Sequence, residues 1–134
     1  MNIEISECLT NAMNEIVNSE ETSIRKLEKI IQLHIDITIR NPAELASLNA
    51  DWMHLADEDL LYFLKMREEY EENFRKIVKK GIVDGEIKDL NSEVIIFSML
   101  STLLTLYIWW GKEKSLNAKV VKSNMIQILL NGIV

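Results

Sequence analysis

The feature that most constrains this chain is the segment 94–110, which has no ionisable side chain except Tyr107. A helix on the surface of a globular protein repeats apolar residues at i, i+3, i+4 and i+7 and keeps a polar face for water. This segment is apolar nearly all round. Its exceptions are the hydroxyl residues Ser98, Ser101, Thr102 and Thr105, which can bond to backbone carbonyls of their own helix. The helix therefore needs to be covered on most sides, by protein or by lipid.

Protein is the favoured cover. A transmembrane helix needs about 20 apolar residues, and about 17 at the least. The segment lies at this lower limit and is diluted by its hydroxyl residues. The flanks at 91–93 and 111–114 carry no strong charge asymmetry. We therefore expect a helix buried between the core and a partner subunit, with a membrane-associated protein as the weaker alternative.

Composition agrees with a soluble protein of one domain over residues 1–134. A chain of this length buries roughly two-thirds of its unfolded surface. The net charge of −6 argues against nucleic-acid binding by this chain alone, because phosphate contacts need a basic surface. The lone Cys8 fits a reducing compartment, and the first residues lack the basic and apolar regions of a signal peptide. We therefore predict a cytoplasmic protein.

The apolar periodicity predicts an all-α fold, an antiparallel bundle of about six helices. With one proline and four glycines, the chain has few of the residues that form the many turns of a β-rich fold. The predicted helices span about 3–17, 23–40, 42–50, 57 to a turn around Gly81 and Gly85, 92–110 and 117–131. The predicted N-cap of the third helix is Asn41, which Pro42 and Glu44 follow at positions typical of a helix start. The predicted N-caps of the last three helices are Asp57, then Asn91 or Ser92, and then Ser115 or Asn117.

Four of these helices carry predicted inward stripes, and three of those stripes include polar residues. The stripe of the first helix is Ile5, Leu9, Ala12, Met13 and Ile16. That of the second is Ile24, Leu27, Ile30, Ile31, His34, Ile37 and Thr38. The stripe of the fourth helix is Leu60, Phe63, Leu64, Arg67, Tyr70, Phe74, Ile77 and Val78. That of the sixth is Val120, Val121, Asn124, Ile128 and Leu129.

Five short segments, in their order along the chain, are similar to motifs of a known protein family. They are the segments 40–45, 67–70 with Phe74, and 81–86, the pair Trp109–Trp110, and the closing segment 129–133. Over residues 22–133 the chain resembles the C-terminal, ligand-binding and dimerisation domain of TetR/AcrR-type transcriptional regulators. The motifs are moderately specific together, and none is a catalytic fingerprint.

The resemblance implies a homodimer in which the last two helices of each subunit form a four-helix bundle. The residues lead to the same expectation, since the apolar fifth helix needs a second cover and two-fold symmetry is the commonest closed arrangement. The predicted interface residues are Ser98, Thr102, Thr105, Trp109, Val121, Asn124 and Ile128.

Regulators of this family also carry an N-terminal helix-turn-helix domain, and nothing before Ser23 resembles a recognition helix. That segment is acidic and short of lysine and arginine. We expect DNA binding to belong to a helix-turn-helix domain that is not part of this chain. The chain is then either a fragment of a longer regulator or a natural stand-alone sensor.

The resemblance also implies a small-molecule site within each subunit, among the helices that precede the dimer pair. The predicted ligand-binding residues are His34, Thr38, Trp52, Phe63, Met66, Arg67, Tyr70 and Phe74, with Met53 as a further wall. Arg67 on an apolar stripe must be paired or solvated, so an ion pair with Asp36 or a glutamate, or an arginine reaching to solvent, is its simpler explanation. His34 is likewise more often a hydrogen-bonded core residue than a ligand contact.

Catalytic and metal sites are not indicated. Asp51 and His54 lie three apart without the further ligands that zinc requires. The chain has no nucleophile motif and no phosphate-binding glycine loop. We predict no enzymatic activity, no metal and no cofactor.

The favoured hypothesis is the effector-sensing and dimerisation domain of a TetR-like regulator, which binds an apolar or amphipathic small molecule. The alternative is a helical homodimeric interaction module without a ligand. A rise in melting temperature on ligand addition would favour the first hypothesis over the second.

Overall fold

The computed structural model describes residues 3–112 and 116–134, and this part of the chain is helical without strands. The helices are α1 (Glu4–Asn18), α2 (Ser23–Arg40), α3 (Pro42–Asp51), α4 (Asp57–Val83), α5 (Ser92–Lys112) and α6 (Ala118–Asn131), with a 3-10 turn at Trp52–His54. The predicted all-α fold is confirmed, and the bounds of α2 are those predicted from the sequence.

Side-chain caps begin three of the helices. The Thr22 hydroxyl accepts a hydrogen bond from the Arg25 N–H at 3.2 Å at the start of α2. Asn91 accepts from the N–H groups of Glu93 and Val94, and Asn117 accepts from Val120 N–H at 2.9 Å. Of the predicted alternatives, Asn91 and Asn117 are therefore caps, while Ser115 lies outside the described residues.

Two predicted caps differ in the structure. Asn41 occupies the N-cap position of α3 as predicted, but its side chain accepts no capping hydrogen bond. Its Nδ2 instead donates to the carbonyl of Ile37 at 3.3 Å. Asp57 is the first residue of α4, and Ala56 occupies the N-cap position. Asp57 still lies in the first turn, where a negative charge is favourable near the positive end of the helix dipole.

Gly81 does not end α4 as predicted, because the helix continues to Val83. It lies instead at a close approach between elements. A Cβ atom at this position would lie 2.4 Å from Cδ1 of Ile87 and 3.0 Å from Cβ of Ser23. Only Gly85 in the following turn has a positive φ, of 79°, which favours glycine. Gly81 is thus a packing residue, and Gly85 alone serves the turn.

The core forms around α2, which contacts all five other helices. Leu27, Ile30, Ile31 and Ile35 of α2 are fully buried and meet Phe74 of α4 in the main apolar cluster. A smaller cluster of Leu48, Leu55 and Phe63 lies where α3 and the 3-10 turn approach α4.

The inner stripe of α4 differs from the predicted one. Its buried residues are Phe63, Met66, Tyr70, Phe74, Ile77, Val78 and Gly81. Leu64 and Arg67 are exposed, because they lie on the flank of this stripe next to solvent. On α6, Val120, Asn124 and Ile128 are also exposed, whereas Val121 is buried. The predicted stripes therefore included exposed residues and left out the buried Met66 and Leu130.

Polar contacts join the helices at their edges. Arg75 of α4 binds both carboxylate oxygens of Glu93 on α5, each at 2.8 Å. Lys122 of α6 pairs with Asp36 of α2 at 2.6 Å, so Asp36 is not the partner of Arg67. The ammonium group of the buried Lys26 donates to the carbonyl of Val17 at 3.0 Å and anchors the end of α1.

Helix α5 packs on the core with one side only. Its buried residues are Ile95, Ile96, Met99, Leu100, Leu103 and Leu106. Among the described residues it is the one helix long and apolar enough to cross a membrane, and 33% of its most apolar window is buried. This is weak evidence for a membrane span, since core helices of soluble proteins share these properties.

Candidate functional site

A partly open cavity of about 290 Å³ lies between α1, α2, α3, the 3-10 turn, α4 and α5. Its lining is mostly apolar, in the manner of small-molecule sites. The lining residues are Ile5, Ser6, Leu9, Thr10, His34, Leu45, Leu48, Asn49, Trp52, Phe63, Met66, Arg67, Tyr70, Glu71, Leu100 and Leu104.

The lining has two zones. We call the buried lining residues the interior, which comprises Ile5, His34, Leu48, Phe63, Met66, Tyr70 and Leu100. We call the exposed lining residues the rim, which comprises Asn49, Arg67 and Leu104. The interior is therefore apolar apart from His34 and Tyr70, and the rim carries the cation Arg67.

His34 and Tyr70 form the polar spot of the interior. The Tyr70 hydroxyl and Nε2 of His34 are hydrogen-bonded, and the two rings meet edge to face with centroids 5.7 Å apart. Burial lowers the pKa of His34 from 6.5 to about 4 and raises the pKa of Tyr70. Both side chains are therefore neutral at pH 7, so they offer hydrogen bonding without charge.

At the rim, Arg67 lies over an aromatic pair. Trp52 and Phe63 stack with ring centroids 5.5 Å apart, and Cζ of Arg67 lies 5.8 Å from the Trp52 centroid. Nε of Arg67 is 3.9 Å from a carboxylate oxygen of Glu71, one turn along α4. The Arg67 side chain is 51% exposed. The simpler explanation of Arg67, a partly solvated arginine near a glutamate, thus describes its contacts in this structure.

The structure brings six of the eight predicted ligand-binding residues into the wall of the cavity. They are His34, Trp52, Phe63, Met66, Arg67 and Tyr70. Thr38 does not line it, because its hydroxyl turns back along α2 and donates to the carbonyl of His34 at 2.8 Å. Phe74 is fully buried in the main core cluster, and Met53 is exposed on the 3-10 turn.

Sequence reasoning missed the wall that α1 provides. Ile5, Ser6, Leu9 and Thr10 all line the cavity, as do Leu100 and Leu104 of α5. Ile5 and Leu9 belong to the apolar stripe of α1, so they were recognisable as inward residues. Periodicity shows that a residue points inward, but it does not show which helices border an unfilled space.

A second surface runs along α5 and α6. Of the predicted interface residues, Ser98, Thr102, Thr105, Trp109, Asn124 and Ile128 are exposed. Val121 is buried in the core of its own subunit, at 5% exposure, and so offers little surface to a partner. The exposed face also includes Val94 (62% exposed) and Phe97 (61%), and Ile128 on α6 is 74% exposed.

Two of the hydroxyl groups on this face form hydrogen bonds within their own helix. Thr102 donates to the carbonyl of Ser98 at 3.0 Å, and Thr105 donates to that of Ser101 at 2.7 Å. Their methyl groups are then free to contact apolar atoms, so the face can be buried without stranding these two donors.

No group of three or more histidine, cysteine, aspartate or glutamate side chains that could hold a metal ion occurs in the described part of the chain.

Residues 20–133 match the family described as the tetracyclin repressor-like, C-terminal domain. The chain belongs to this family. The resemblance found from the sequence is thereby confirmed, and so is the prediction that the domain is not an enzyme, since this is a family of transcriptional regulators. No protein of curated function matches the sequence.

Solved structures of TetR-like regulators share this fold. A TetR/AcrR-family regulator from Thermobifida fusca YX-ER1 is 22% identical with a TM-score of 0.82, over 96% of this chain and 68% of that one. The ketosteroid regulator KstR2 of Mycobacterium tuberculosis is 17% identical with a TM-score of 0.87, over 97% and 67%. AibR, solved with isovaleryl coenzyme A and operator DNA, is 16% identical with a TM-score of 0.77, over 96% and 72%. At these identities the similarity concerns the fold.

Proposed function

We propose that this chain is the effector-sensing and dimerisation domain of a cytoplasmic TetR-like transcriptional regulator, whose effector is an apolar or amphipathic small molecule. The observation that carries the proposal is the cavity with its apolar interior and neutral His34–Tyr70 pair. Its volume of about 290 Å³ is close to the lower end of the range for small-molecule sites. A small effector is therefore expected.

Two of the similar structures bear names that agree with such an effector. KstR2 is a ketosteroid regulator, and AibR was solved with isovaleryl coenzyme A. In both names the molecule has a hydrocarbon part joined to a polar part. The two zones of the present cavity suit a molecule with the same division.

The effector acts on DNA binding only through its preference for one arrangement of the helices. In a dimer, a shift of helices within each subunit changes the spacing of the two DNA-binding domains of the regulator. Those domains are helix-turn-helix units outside this chain, and the chain itself, with a net charge of −6, does not bind DNA specifically.

Dimerisation is supported by the exposed face of α5 and α6. Large apolar side chains on both helices are strongly exposed, among them Val94, Phe97 and Ile128. Exposed apolar surface of this kind is typical of protein–protein contacts when it forms a patch. A second copy placed on this face by a two-fold axis would bury the patch and form a four-helix bundle from two copies of α5 and α6.

Effector binding is tested by thermal unfolding in the presence of candidate compounds. A ligand at 100 times its Kd should stabilise the protein by about 2.7 kcal/mol, which raises Tm by several degrees. Ser6→Phe places a ring in the cavity wall and should abolish the shift. Asn11→Phe is the matched control, because it places the same ring on the exposed side of α1, away from the cavity. Equal shifts in both variants would place the ligand elsewhere.

Dimerisation is tested by light scattering after size exclusion, in buffer without detergent. The wild-type chain should have the mass of a dimer, and Thr105→Arg should have that of a monomer, because an unpaired charge would be buried at the interface. Ala46→Arg, on the exposed side of α3, is the control and should remain dimeric. A dimer without any ligand response would favour the alternative, an interaction module, and solubility only in detergent would favour a membrane-associated protein.

A further inference from the structure

We propose that the effector is a carboxylic acid with a short hydrocarbon chain, whose carboxylate binds Arg67 at the rim while the chain fills the interior. This rests on the proposed function, since it specifies the ligand of the same cavity. The cavity can accept a charge at its rim but not in its interior.

The interior cannot accept the carboxylate. It offers apolar side chains such as Met66 and Leu100, and its one polar pair, His34 and Tyr70, already bonds to itself. A carboxylate placed there would lose its hydration without gaining an opposite charge, which costs several kcal/mol. Protonating His34 to supply that charge is opposed by burial, which holds its pKa at about 4. The charged end of a ligand therefore stays at the rim.

Arg67 is available at the rim. Its side chain forms no hydrogen bond to another described residue, and its ion pair with Glu71 is 3.9 Å long from Nε, close to the upper limit for such a contact. Arg75, eight residues further along α4, shows the contrasting case, since its guanidinium binds both oxygens of Glu93 and one of Glu72. The terminal nitrogens of Arg67 are thus free for the two-pronged geometry that carboxylates adopt with arginine.

The aromatic ring beneath Arg67 adds orientation. Trp52 lies under the guanidinium at 5.8 Å and is itself stacked on Phe63, whose side chain is buried in the interior. A cation held over an aromatic face loses less freedom when it binds an anion. The same two rings continue into the cavity, so they form an apolar path from the rim to the interior.

Glu71 is the one lining group that opposes a carboxylate. Its side chain is 44% exposed, so its repulsion is weakened by water and salt. A bound carboxylate would replace Glu71 as the partner of Arg67, and Glu71 would turn into solvent. A ligand with an ammonium group would need the reverse exchange, with Arg67 as the repelling neighbour.

The test uses three probes that share an eight-carbon skeleton and differ in their polar group: octanoate, octan-1-ol and octylamine. Binding is measured by calorimetry at pH 7.5 on the full chain. Octanoate should bind, and Arg67→Gln should weaken it about tenfold or more, as expected for the loss of hydrogen bonds to a charged group. The affinity for octan-1-ol should not change, and Arg67→Lys should restore part of the affinity for octanoate.

Arg25→Gln is the matched control. Arg25 is also exposed and paired with a glutamate on its own helix, but it does not line the cavity, so octanoate affinity should not change. The octanoate affinity should also be constant from pH 6.5 to 8.5, because the proposed binding mode does not involve His34.

Four results would overturn the inference. If octan-1-ol binds but octanoate does not, or if Arg67→Gln weakens both equally, the cavity binds apolar molecules without reading a carboxylate, and the proposed function stands. If octanoate binds more tightly as the pH falls toward 6.5, the carboxylate pairs with His34. If no probe binds and Ser6→Phe changes nothing with any compound, the cavity is not an effector site and the proposed function fails as well.

Discussion

Acidification should destabilise the fold through one buried side chain, His34. Its pKa is about 4 in the folded protein against 6.5 for an ordinary histidine, because burial disfavours the charged imidazolium. The unfolded chain therefore takes up a proton near pH 6.5, whereas the folded protein does not until about pH 4. Stability must fall with pH wherever the unfolded state holds more protons, so the loss begins near pH 6.5 and is complete near pH 4.

The size of the effect follows from the difference in pKa. A difference of about 2.5 units corresponds to about 3 kcal/mol over the whole range, at 1.36 kcal/mol for each unit. About 2 kcal/mol of this falls between pH 7 and pH 5. The range from pH 7 to pH 5 separates this effect from that of Glu93. Hydrogen bonds to Arg75 lower the pKa of Glu93 from its usual 4.5. The stability that this carboxylate contributes is therefore lost only below about pH 4.5.

The assay is urea unfolding at pH 7, 6 and 5 at one fixed protein concentration, since an oligomer's stability depends on concentration. The wild-type protein should lose about 2 kcal/mol from pH 7 to pH 5, and His34→Gln should lose much less. His54→Gln, at the exposed histidine of the 3-10 turn, is the control and should follow the wild type. If His34→Gln keeps the full wild-type decline, the neutral state of the buried His34–Tyr70 pair is not its cause.

Three further predictions concern a packing contact, an ion pair and a helix cap. Gly81→Ala should lower the free energy of unfolding by roughly 1 kcal/mol in urea titrations, because the clash with Ile87 outweighs the gain in helix propensity. Adding Ile87→Val should recover part of this loss. If Gly81→Ala alone is more stable than the wild type, the close contact with Ile87 is not costly. Arg75→Met should lower Tm by removing the bridge to Glu93, and the difference from wild type should shrink in 1 M salt, whereas a salt-independent difference would indicate lost packing instead. Asn117→Ala should cost about 1 kcal/mol in the same urea titrations by removing the cap of α6, and an unchanged midpoint would show that the cap is dispensable.

Local patterns predicted the helices well where one strong rule applied. Pro42 after Asn41 marks the start of α3, and the bounds of α2 follow from its apolar repeat. The rules failed where two groups competed for the same atoms. Asn41 has the right residue type for a cap, yet its side chain finds the carbonyl of Ile37 instead. Glycine is typical of helix ends, but Gly81 lies within α4, where Ile87 and Ser23 leave no room for a larger side chain.

The candidate site was predicted in part for a related reason. An inward stripe on α4 was recognisable, and Phe63, Met66 and Tyr70 do line the cavity. Phe74 lies on the same stripe but deeper in the core, and Thr38 is occupied by its own helix. Whether an inward residue faces packed atoms or a cavity depends on helices distant in sequence, and no local pattern carries that information.

The wall formed by α1 has a practical consequence for anyone who shortens this protein. The family match begins at residue 20, so a chain trimmed to the matched segment would lose α1 entirely. Met13, which is fully buried, would leave a gap in the core, and Tyr70 and His34 would lose the α1 residues that enclose the cavity with them. We expect such a shortened protein to give a negative result in a ligand screen even if the intact protein binds its effector. Ligand screens should therefore use a chain that retains α1.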